Sequence, residues 1–295
     1  MSGFFGSGPL DTGDLIGLRA SGSPPVRKRD GRAALKSTAI AAASSVVVFG
    51  LLVAVVVNSP NWADVQAQFL NSRWFDYSLP EIFGAFAVNV QLFCIAEALI
   101  LVLALFLAVL RSLPGPVFFP LRLMATIYAD VFRAIPGLLL ITLLGFGIPG
   151  LGIAGIPVDP FPYAVIALTL VYSAYVSEVY RAGIESIHPS QEAAARSLGL
   201  TRVQALRYVI IPQAVRRVIP PLLNDFIGLQ KDTILVSYIG VVEAFRESSI
   251  ITAAKFNYTP LMALALIFLV VTIPLARLTD WLVGRDRRRF LANAR

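Results

Sequence analysis

The sequence predicts an all-α membrane protein, a polytopic helical bundle with about six transmembrane helices. Of its residues, 57% are hydrophobic and only 15% are charged, and the mean hydropathy is +0.73. This composition is too apolar for a soluble protein of this length. Several apolar runs also approach the roughly 20 residues that a helix needs to cross a bilayer. Together these observations favour a chain that crosses the membrane repeatedly.

Composition divides the N-terminal part of the chain into a tail, a span and an outer segment. Residues 1–36 are rich in Gly, Ser and Pro with a basic cluster, which predicts a flexible cytoplasmic tail. Residues 37–57 are apolar and long enough to span a bilayer. A cleavable signal peptide is the alternative, but the run is long and no clear cleavage site follows it. In residues 58–84, Trp62, Val65 and Phe69 recur at helical spacing, which predicts a short helix in the outer membrane interface.

The remaining spans are predicted from apolar runs in the rest of the chain. We expect transmembrane helices over residues 85–110, 122–148, 163–184, 217–240 and 260–284. The run 217–240 is the least apolar, because prolines and charged residues interrupt it. A basic cytoplasmic tail, residues 285–295, follows the last span.

The basic residues indicate how these spans are oriented. With six spans and an inner N-terminus, the outer segments hold only Arg73, Arg246 and Lys255. The inner segments hold the basic clusters of both tails and of the loop 187–217. By the positive-inside rule, both termini and this loop are then cytoplasmic. The same rule explains the net charge of +7 better than nucleic-acid binding does, because no DNA- or RNA-reading motif is present.

The loop 187–217 is polar and basic between two apolar runs, and its residues predict two short helices with a sharp corner. Gly199 can adopt the left-handed conformation that ends a helix, with Leu200 as the hydrophobic residue beyond it. Thr201 and Gln204 have the spacing of a capping box, which starts the second helix. In the first helix, three successive alanines would allow a partner to approach the backbone closely.

This loop resembles the cytoplasmic EAA loop of binding-protein-dependent ABC importer permeases. The spacing from the alanines to Gly199 and on to Ile211-Pro212-Gln213-Ala214 fits the branch that transports polar amino acids. The resemblance extends over most of residues 85–284 and implies the type I importer permease fold. One departure is that Ala193 stands at the family's Glu position and the acid is Glu192. The resemblance assigns ATPase coupling to Gln191, Glu192, Ala193, Ala194, Ala195, Gly199 and Leu200.

The resemblance also implies partners and a location. A family member works in the bacterial plasma membrane with two ATPase subunits, a second permease that is identical or related, and an extracytoplasmic amino-acid-binding protein. ATP and its magnesium ion belong to the ATPase. The residues agree, since none of the lysines follows a glycine and no phosphate-binding loop is therefore possible. Cys94 and His188 are the only residues of their types, which argues against a metal centre in this chain.

Charged and polar residues within the predicted spans are candidates for a substrate pathway, because burying them in a membrane is unfavourable. Asn224 and Asp232 lie on one helix face through Gly228, and Lys231 is expected to neutralise Asp232 in part. An equally weighted alternative is that these groups only satisfy one another at a subunit interface or at the outer membrane face. Glu97 could contact a substrate ammonium group or, somewhat better, a neighbouring helix. The pathway candidates are Glu97, Asn224, Asp225, Lys231 and Asp232.

Two further segments are expected to have a structural role near an inner gate. Pro136 should interrupt a helix, and Asp130 and Arg133 are spaced as an i,i+3 ion pair. Glu178 and Arg181 repeat this spacing just before the loop.

The leading functional hypothesis is therefore an ABC importer permease for polar amino acids. An ion-driven secondary transporter, with Glu97, Asp225 or Asp232 as its ion site, is the alternative, although no inverted repeat is visible. An intramembrane enzyme lacks a catalytic pair.

Overall fold

The structure, a computed structural model, describes residues 31–293, and every regular element in this range is helical. In chain order the α-helices are α1 Gly31–Val57, α2 Trp62–Phe69, α3 Ser72–Arg111, α4 Phe119–Ala134, α5 Gly137–Thr142, α6 Ile148–Gly150, α7 Pro160–Glu185, α8 Pro189–Ser197, α9 Arg202–Ala205, α10 Ile211–Asp232, α11 Ala244–Lys255 and α12 Thr259–Asn293. Two π-helical turns, Leu143–Gly147 and Leu206–Ile210, join successive α-helices without a loop, and one 3₁₀ helix, Thr233–Ile239, directly follows α10. The all-α prediction is confirmed.

The described residues divide into two units, with the division between residues 62 and 63. The described part of the first unit is mainly α1, in which Thr38–Val57 is long and apolar enough to cross a membrane. This stretch coincides with the predicted span 37–57. Most of the predicted N-terminal tail and the end of the C-terminal tail lie outside the described residues.

The short helix α2 forms where the aromatic spacing predicts it, and it is tied to the turn before α12. Asn257 Nδ2 donates to the carbonyl of Ala67 at 2.8 Å, and the Tyr258 N–H donates to the carbonyl of Gln68 at 2.9 Å. The Phe69 and Tyr258 rings stack with centroids 5.2 Å apart. At least one of the predicted interfacial aromatics therefore packs against the protein itself.

The helix α3 begins earlier than the predicted boundary at residue 84. Asn71 caps it by accepting a hydrogen bond from the Trp74 N–H at 3.4 Å, and Pro80 lies within the helix. Much of the predicted outer segment 58–84 is thus the first part of one helix that runs to Arg111. A proline inside a helix is unfavourable, but packing of Ile82 and Phe86 into a buried cluster keeps the helix continuous.

Pro136 interrupts the second predicted core span, as expected. The helices on its two sides, Phe119–Ala134 and Gly137–Gly150, are bent by 100°. The residue before the proline, Ile135, has an extended backbone, which is the conformation that a following proline favours.

Four helical stretches among the described residues are long and apolar enough to cross a membrane, or up to five if the bent pair is one span. The predicted number was about six. The difference is the segment 217–240, where the structure has α10 followed by a 3₁₀ helix. Although α10 is long, it carries Arg216, Arg217, Asp225, Lys231 and Asp232, which make it too polar to be counted.

The main core lies where α3, α7, α10 and the 3₁₀ helix meet. Its largest fully buried members include Leu92, Ile100 and Leu229. Helix contacts are tightened at Gly183 of α7, where an added Cβ would lie 2.0 Å from Val218 Cγ2. This packing fixes α10 against the rest of the bundle and positions both ends of it.

Candidate functional site

The corner in the 187–217 loop has the local structure that its residues predict. Gly199 has φ +86°, in the left-handed region, and the Leu200 N–H donates back to the Ala195 carbonyl at 3.3 Å. Gln204 Oε1 accepts from the Thr201 N–H at 2.9 Å, and the Gln204 N–H donates to Thr201 Oγ1 at 3.3 Å. Both halves of the capping box are therefore present.

The second helix of the loop was predicted to be short and separate, but in the structure it is the start of a longer helix. After only four residues, α9 passes through the π turn Leu206–Ile210 directly into α10. The chain is therefore helical from Arg202 to Asp232, and the 3₁₀ helix extends this path to Ile239. Any displacement of the loop corner acts on one end of this continuous helix.

The side chains that the loop presents differ in part from those expected. Gln191, Ala193, Ala194 and Gly199 are exposed, but Ala195 is 4% exposed and packs inside the loop. Leu198, which sequence reasoning did not select, is 85% exposed immediately before the corner. The exposed surface is therefore formed by small residues on one turn and a large apolar side chain on the next.

Glu192 links the two arms of the loop. Its Oε1 lies 3.7 Å from Arg202 Nε, with side-chain exposures of 42% and 75%. Gln213 Nε2 also donates to Gln191 Oε1 at 3.4 Å, from the first turn of α10. The shifted acid thus has a partner within this chain, across the corner from it.

The predicted gate residues form a cluster centred on Glu178, with one correction. The sequence paired Arg133 with Asp130, but Arg133 Nη1 lies 3.6 Å from Glu178 Oε1, and Asp130 is exposed. Arg181 Nη2 lies 2.7 Å from Glu178 Oε2, as its spacing predicts. Arg111, which sequence reasoning missed, also pairs with Glu178. The sequence signal for Arg111 was its position at the very end of an apolar helix, where it is the last residue of α3.

The polar residues at the C-terminal end of α10 have separate partners, which corrects the expected pairing of Lys231 with Asp232. Asp232 Oδ2 accepts from the Tyr172 hydroxyl of α7 at 2.8 Å. Gln230 Oε1 accepts from the Thr272 hydroxyl of α12 at 3.1 Å. Lys231 and Asn224 are exposed instead.

Two acids of the predicted pathway lie nearer the middle of α3 and α10. Glu97 and Asp225 interact electrostatically with each other, and both are half-buried. Asp225 Oδ2 is buried and has no hydrogen-bond partner among the described residues. The two carboxylates therefore lie within electrostatic range of each other, and none of the ion pairs between described residues joins either of them to Lys231.

A buried hydrogen-bond network, which sequence reasoning missed, fixes the segment after α10. Asn89 Nδ2 donates to Thr233 Oγ1 at 3.0 Å and to Glu243 Oε2 at 2.9 Å. Glu243 also caps α11, accepting from the Phe245 and Arg246 N–H groups, both at 2.9 Å. Burial raises the pKa of Glu243, against the opposing effect of these three hydrogen bonds. The isolated polar residue Asn89 in an apolar run was the one sequence signal for this network.

Within residues 31–293 no group of His, Cys, Asp and Glu side chains is arranged to hold a metal ion. The described residues form an exposed corner, an ion cluster and a polar helix. This arrangement suits mechanical coupling and passage of a solute.

The sequence matches the family described as binding-protein-dependent transport system inner membrane component over residues 100–288. The chain is 36% identical over 190 residues to the probable glutamine ABC transporter permease protein GlnM of Bacillus subtilis (strain 168), covering 64% of this chain and 85% of that protein. It is 37% identical over 192 residues to the probable amino-acid ABC transporter permease protein PatM of Vibrio harveyi, covering 65% and 85%.

Solved structures show the same fold. A structure described as an amino acid ABC transporter with histidines superposes with a TM-score of 0.64 at 34% identity, over 70% of this chain and 94% of that chain. The inward-facing MetNI methionine ABC transporter gives a TM-score of 0.52 at 17% identity, over 71% and 96%, and supports the fold alone. These matches favour an ABC importer permease over the ion-driven alternative. The chain belongs to the family of inner membrane components of binding-protein-dependent transport systems, the permease subunits of ABC importers.

Proposed function

We propose that this chain is the permease subunit of an ATP-driven importer of polar amino acids in a bacterial plasma membrane. It forms half of the translocation pathway, and a second permease, identical or related, forms the other half. An extracytoplasmic binding protein delivers the amino acid, while separate ATPase subunits bind ATP and magnesium. The names of the relatives, which include glutamine and arginine permeases, support the substrate class. The excess of basic residues in the loop and tails supports cytoplasmic termini.

The observation that carries this proposal is the exposed corner of the 187–217 loop. Leu198 projects from the corner beside Gly199, and the small side chains of Ala193 and Ala194 leave the backbone of α8 accessible. A groove on an ATPase can therefore contact α8 closely while Leu198 fills an apolar pocket. The docking surface comprises Gln191, Glu192, Ala193, Ala194, Gly199 and Leu200, to which we add Leu198. Ala195, the remaining predicted coupling residue, supports this surface from inside the loop.

The continuous helix from Arg202 to Asp232 connects this surface to the pathway. When the ATPase subunits close, the loop moves with them and α9–α10 moves as one body. Glu178 pairs with Arg111, Arg133 and Arg181, and this cluster holds α3, α4 and α7 together near the end of α10 that joins the loop. The cluster forms the inner gate, with Asp130 and Pro136 beside it. The pathway candidates remain Glu97, Asn224, Asp225, Lys231 and Asp232.

Replacing Gly199 by valine tests the coupling assignment. A β-branched residue is strained at φ +86°, so the corner opens and the docking surface changes shape. We expect insertion to be unchanged and ATP-dependent uptake to fall by roughly tenfold or more, because the corner no longer fits its groove. The measurement is uptake of labelled glutamine and arginine by the complete complex in liposomes.

Gly152 provides a matched control for this substitution. It also has a positive φ, +63°, with nothing within 4 Å of an added Cβ, but it lies outside the loop, between α6 and α7. Gly152→Val introduces similar backbone strain and should leave coupling intact. Wild-type ATP-dependent uptake by Gly199→Val would remove the loop from the mechanism.

A further inference from the structure

Two basic residues that are predicted to lie on the outer side of the membrane converge on one tryptophan. The Arg73 guanidinium carbon lies 5.2 Å from the centroid of the Trp74 ring, and Lys255 Nζ lies 5.4 Å from the same centroid. Lys255 Nζ also lies 5.3 Å from the Tyr77 centroid, and the rings of Trp74 and Tyr77 meet edge to face at 6.0 Å. We call Arg73, Trp74, Tyr77 and Lys255 the cation–ring cluster. It joins the start of α3 to the last residue of α11.

Neither cation of the cation–ring cluster has an acidic partner. Both side chains are exposed, and none of the ion pairs between described residues includes Arg73 or Lys255. Asp76 follows Arg73 at the spacing of a helical ion pair, yet it is absent from those pairs too. Two like charges beside one ring repel each other. An anion bound at the cluster would be attracted by both cations and would relieve this repulsion.

The cation–ring cluster lies where membrane helices begin. The apolar stretch of α12 starts at Thr259, just after Lys255 along the chain, and runs to Arg285. Arg73 and Trp74 are at the first turn of α3, and the opposite end of that helix is Arg111, in the ion cluster of Glu178. Tryptophan and tyrosine at the ends of membrane helices typically occupy the layer of lipid headgroups. The position of the cluster therefore corresponds to the headgroup layer on the side away from the 187–217 loop.

The residue after Lys255 presents a large apolar side chain beside this cluster. Phe256 has φ +49°, in the left-handed region that residues other than glycine rarely adopt, and it is 86% exposed. Buried polar contacts hold the turn, since Asn257 Nδ2 donates to the Ala67 carbonyl at 2.8 Å and Asn257 Oδ1 accepts from the Thr259 N–H at 3.0 Å. The fold thus keeps an unfavourable backbone conformation that leaves a phenyl ring outside the protein. An exposed aromatic ring next to a basic residue is typical of surfaces that insert at the boundary between headgroups and acyl chains.

We propose that the cation–ring cluster binds the phosphate of an anionic phospholipid, with the Phe256 ring against the acyl chains of the same lipid. Guanidinium and ammonium groups are the matching donors for a phosphate oxygen, and their hydrogen bonds to it are charge-assisted. A carboxylate of a protein partner has similar chemistry, but the exposed phenyl ring beside a membrane span favours lipid. Because Arg73 is on α3 and Lys255 is on α11, the bound lipid bridges these two helices.

The experiment detects the lipid that contacts Trp74. In the complete complex, Trp62→Phe and Trp281→Phe leave Trp74 as the one tryptophan of this chain. Signal from partner subunits is subtracted with a complex in which Trp74→Phe is added. The complex is placed in phosphatidylcholine vesicles that contain phosphatidylglycerol, and bromine, which quenches tryptophan on contact, is carried either by the phosphatidylglycerol or by an equal share of the phosphatidylcholine. We expect brominated phosphatidylglycerol to occupy the site roughly fivefold more readily, since each basic residue near the membrane surface attracts anionic lipid.

A double substitution tests whether the two charges cause this preference. Arg73→Gln with Lys255→Gln keeps long polar side chains but removes both charges, so the preference should fall to about one. Arg246→Gln is the matched control, because it removes an exposed charge from α11 outside the cluster and should leave the preference unchanged. Sodium chloride should weaken the preference without any substitution, since ions screen exposed charges. Equal quenching by the two lipids before substitution, or a preference that survives the double substitution, would overturn the inference.

Inorganic phosphate distinguishes a lipid site from a site for free phosphate. At an ionic strength matched with sodium chloride, added phosphate should displace phosphatidylglycerol no more than chloride does, because the acyl chains also contribute to binding. Stronger displacement by phosphate would assign the site to the free ion and overturn the lipid assignment. Quenching of Trp74 by neither lipid would place the cation–ring cluster outside the headgroup layer, with the same consequence. The readout does not require transport, so a failure of the proposed importer activity would be recognised separately.

Discussion

The two ends of the helix that runs from Arg202 to Asp232 are built by different means. At the loop end, Thr201 and Gln204 cap each other across three positions, and the contacts are exposed. At the other end, Asn89 and Glu243 are 154 positions apart and both are fully or almost fully buried. The loop end can therefore take its shape from a few neighbouring residues, whereas the other end exists only when α3, α10 and α11 are assembled.

This difference agrees with the function proposed for each end of the helix. A surface that docks into a partner must be exposed, so its internal contacts are individually weak. A segment that carries a pathway residue must hold that residue still, and buried hydrogen bonds that are all satisfied do this. Substitutions at the two ends should accordingly separate effects on coupling from effects on stability.

The largest effect is expected at the buried end. Glu243→Ala removes the cap of α11 and leaves the Phe245 and Arg246 N–H groups without that acceptor, while Asn89 Nδ2 keeps only its hydrogen bond to Thr233 Oγ1. We expect about 2–4 kcal/mol of destabilisation, measured as the thermal unfolding midpoint of the complex in detergent. Glu247→Ala, four residues along the same helix, is the control. Equal midpoints for the two variants would show that the network contributes little.

A smaller effect on stability is expected where α7 crosses α10. Gly183→Ala places a Cβ against Val218 Cγ2, and overpacking of this kind destabilises by roughly 1–3 kcal/mol. Adding Val218→Ala should recover most of the loss, because it vacates the same space. Gly84→Ala, in a helix with nothing within 4 Å, should be neutral or slightly stabilising. Failure of Val218→Ala to rescue would place the contact elsewhere.

The pH dependence of folding stability gives a smaller effect to compare at Glu243. Because burial raises the pKa of Glu243 in the folded protein, the folded state holds the proton more tightly than the unfolded state does. The wild-type protein should therefore lose stability relative to Glu243→Gln as pH rises from below the ordinary value of 4.5 through the folded pKa. Above that pH the difference should be constant. A difference that grows in the opposite direction would contradict the assigned shift.

The smallest effect is expected at the loop end. Glu192 and Arg202 form an exposed pair, for which a double-mutant cycle typically gives about 0.2–1 kcal/mol of coupling. The cycle of Glu192→Ala and Arg202→Ala is best measured on the affinity for the ATPase at low and high salt. Coupling should weaken at high salt, since dissolved ions screen the pair. A large, salt-independent coupling would instead mean that the partner buries both residues.

Prediction from the sequence succeeded where the cause was local. The left-handed Gly199, the capping box and the break at Pro136 each depend on the conformational preferences of a few adjacent residues, and all three are confirmed. The pairing of Arg133 with Asp130 was wrong. Spacing along the chain favours a partner on the same helix, whereas Glu178 lies on another helix and comes within 3.6 Å of Arg133 only in the folded protein. The sequence did not predict that the helix containing the span 85–110 starts at Ser72, because it is tertiary packing that keeps this helix continuous through Pro80.

By itself, then, the sequence determined the membrane class, the all-α fold class, the corner of the loop and the family. These follow from composition, periodicity and local backbone preferences, which act within a few residues. The tertiary structure decided which polar groups of α10 are satisfied and which one is left open. Asp232 and Lys231 are adjacent in sequence, yet one is bound by Tyr172 and the other is exposed. That assignment depends on which helices surround α10, and only the assembled bundle specifies its neighbours.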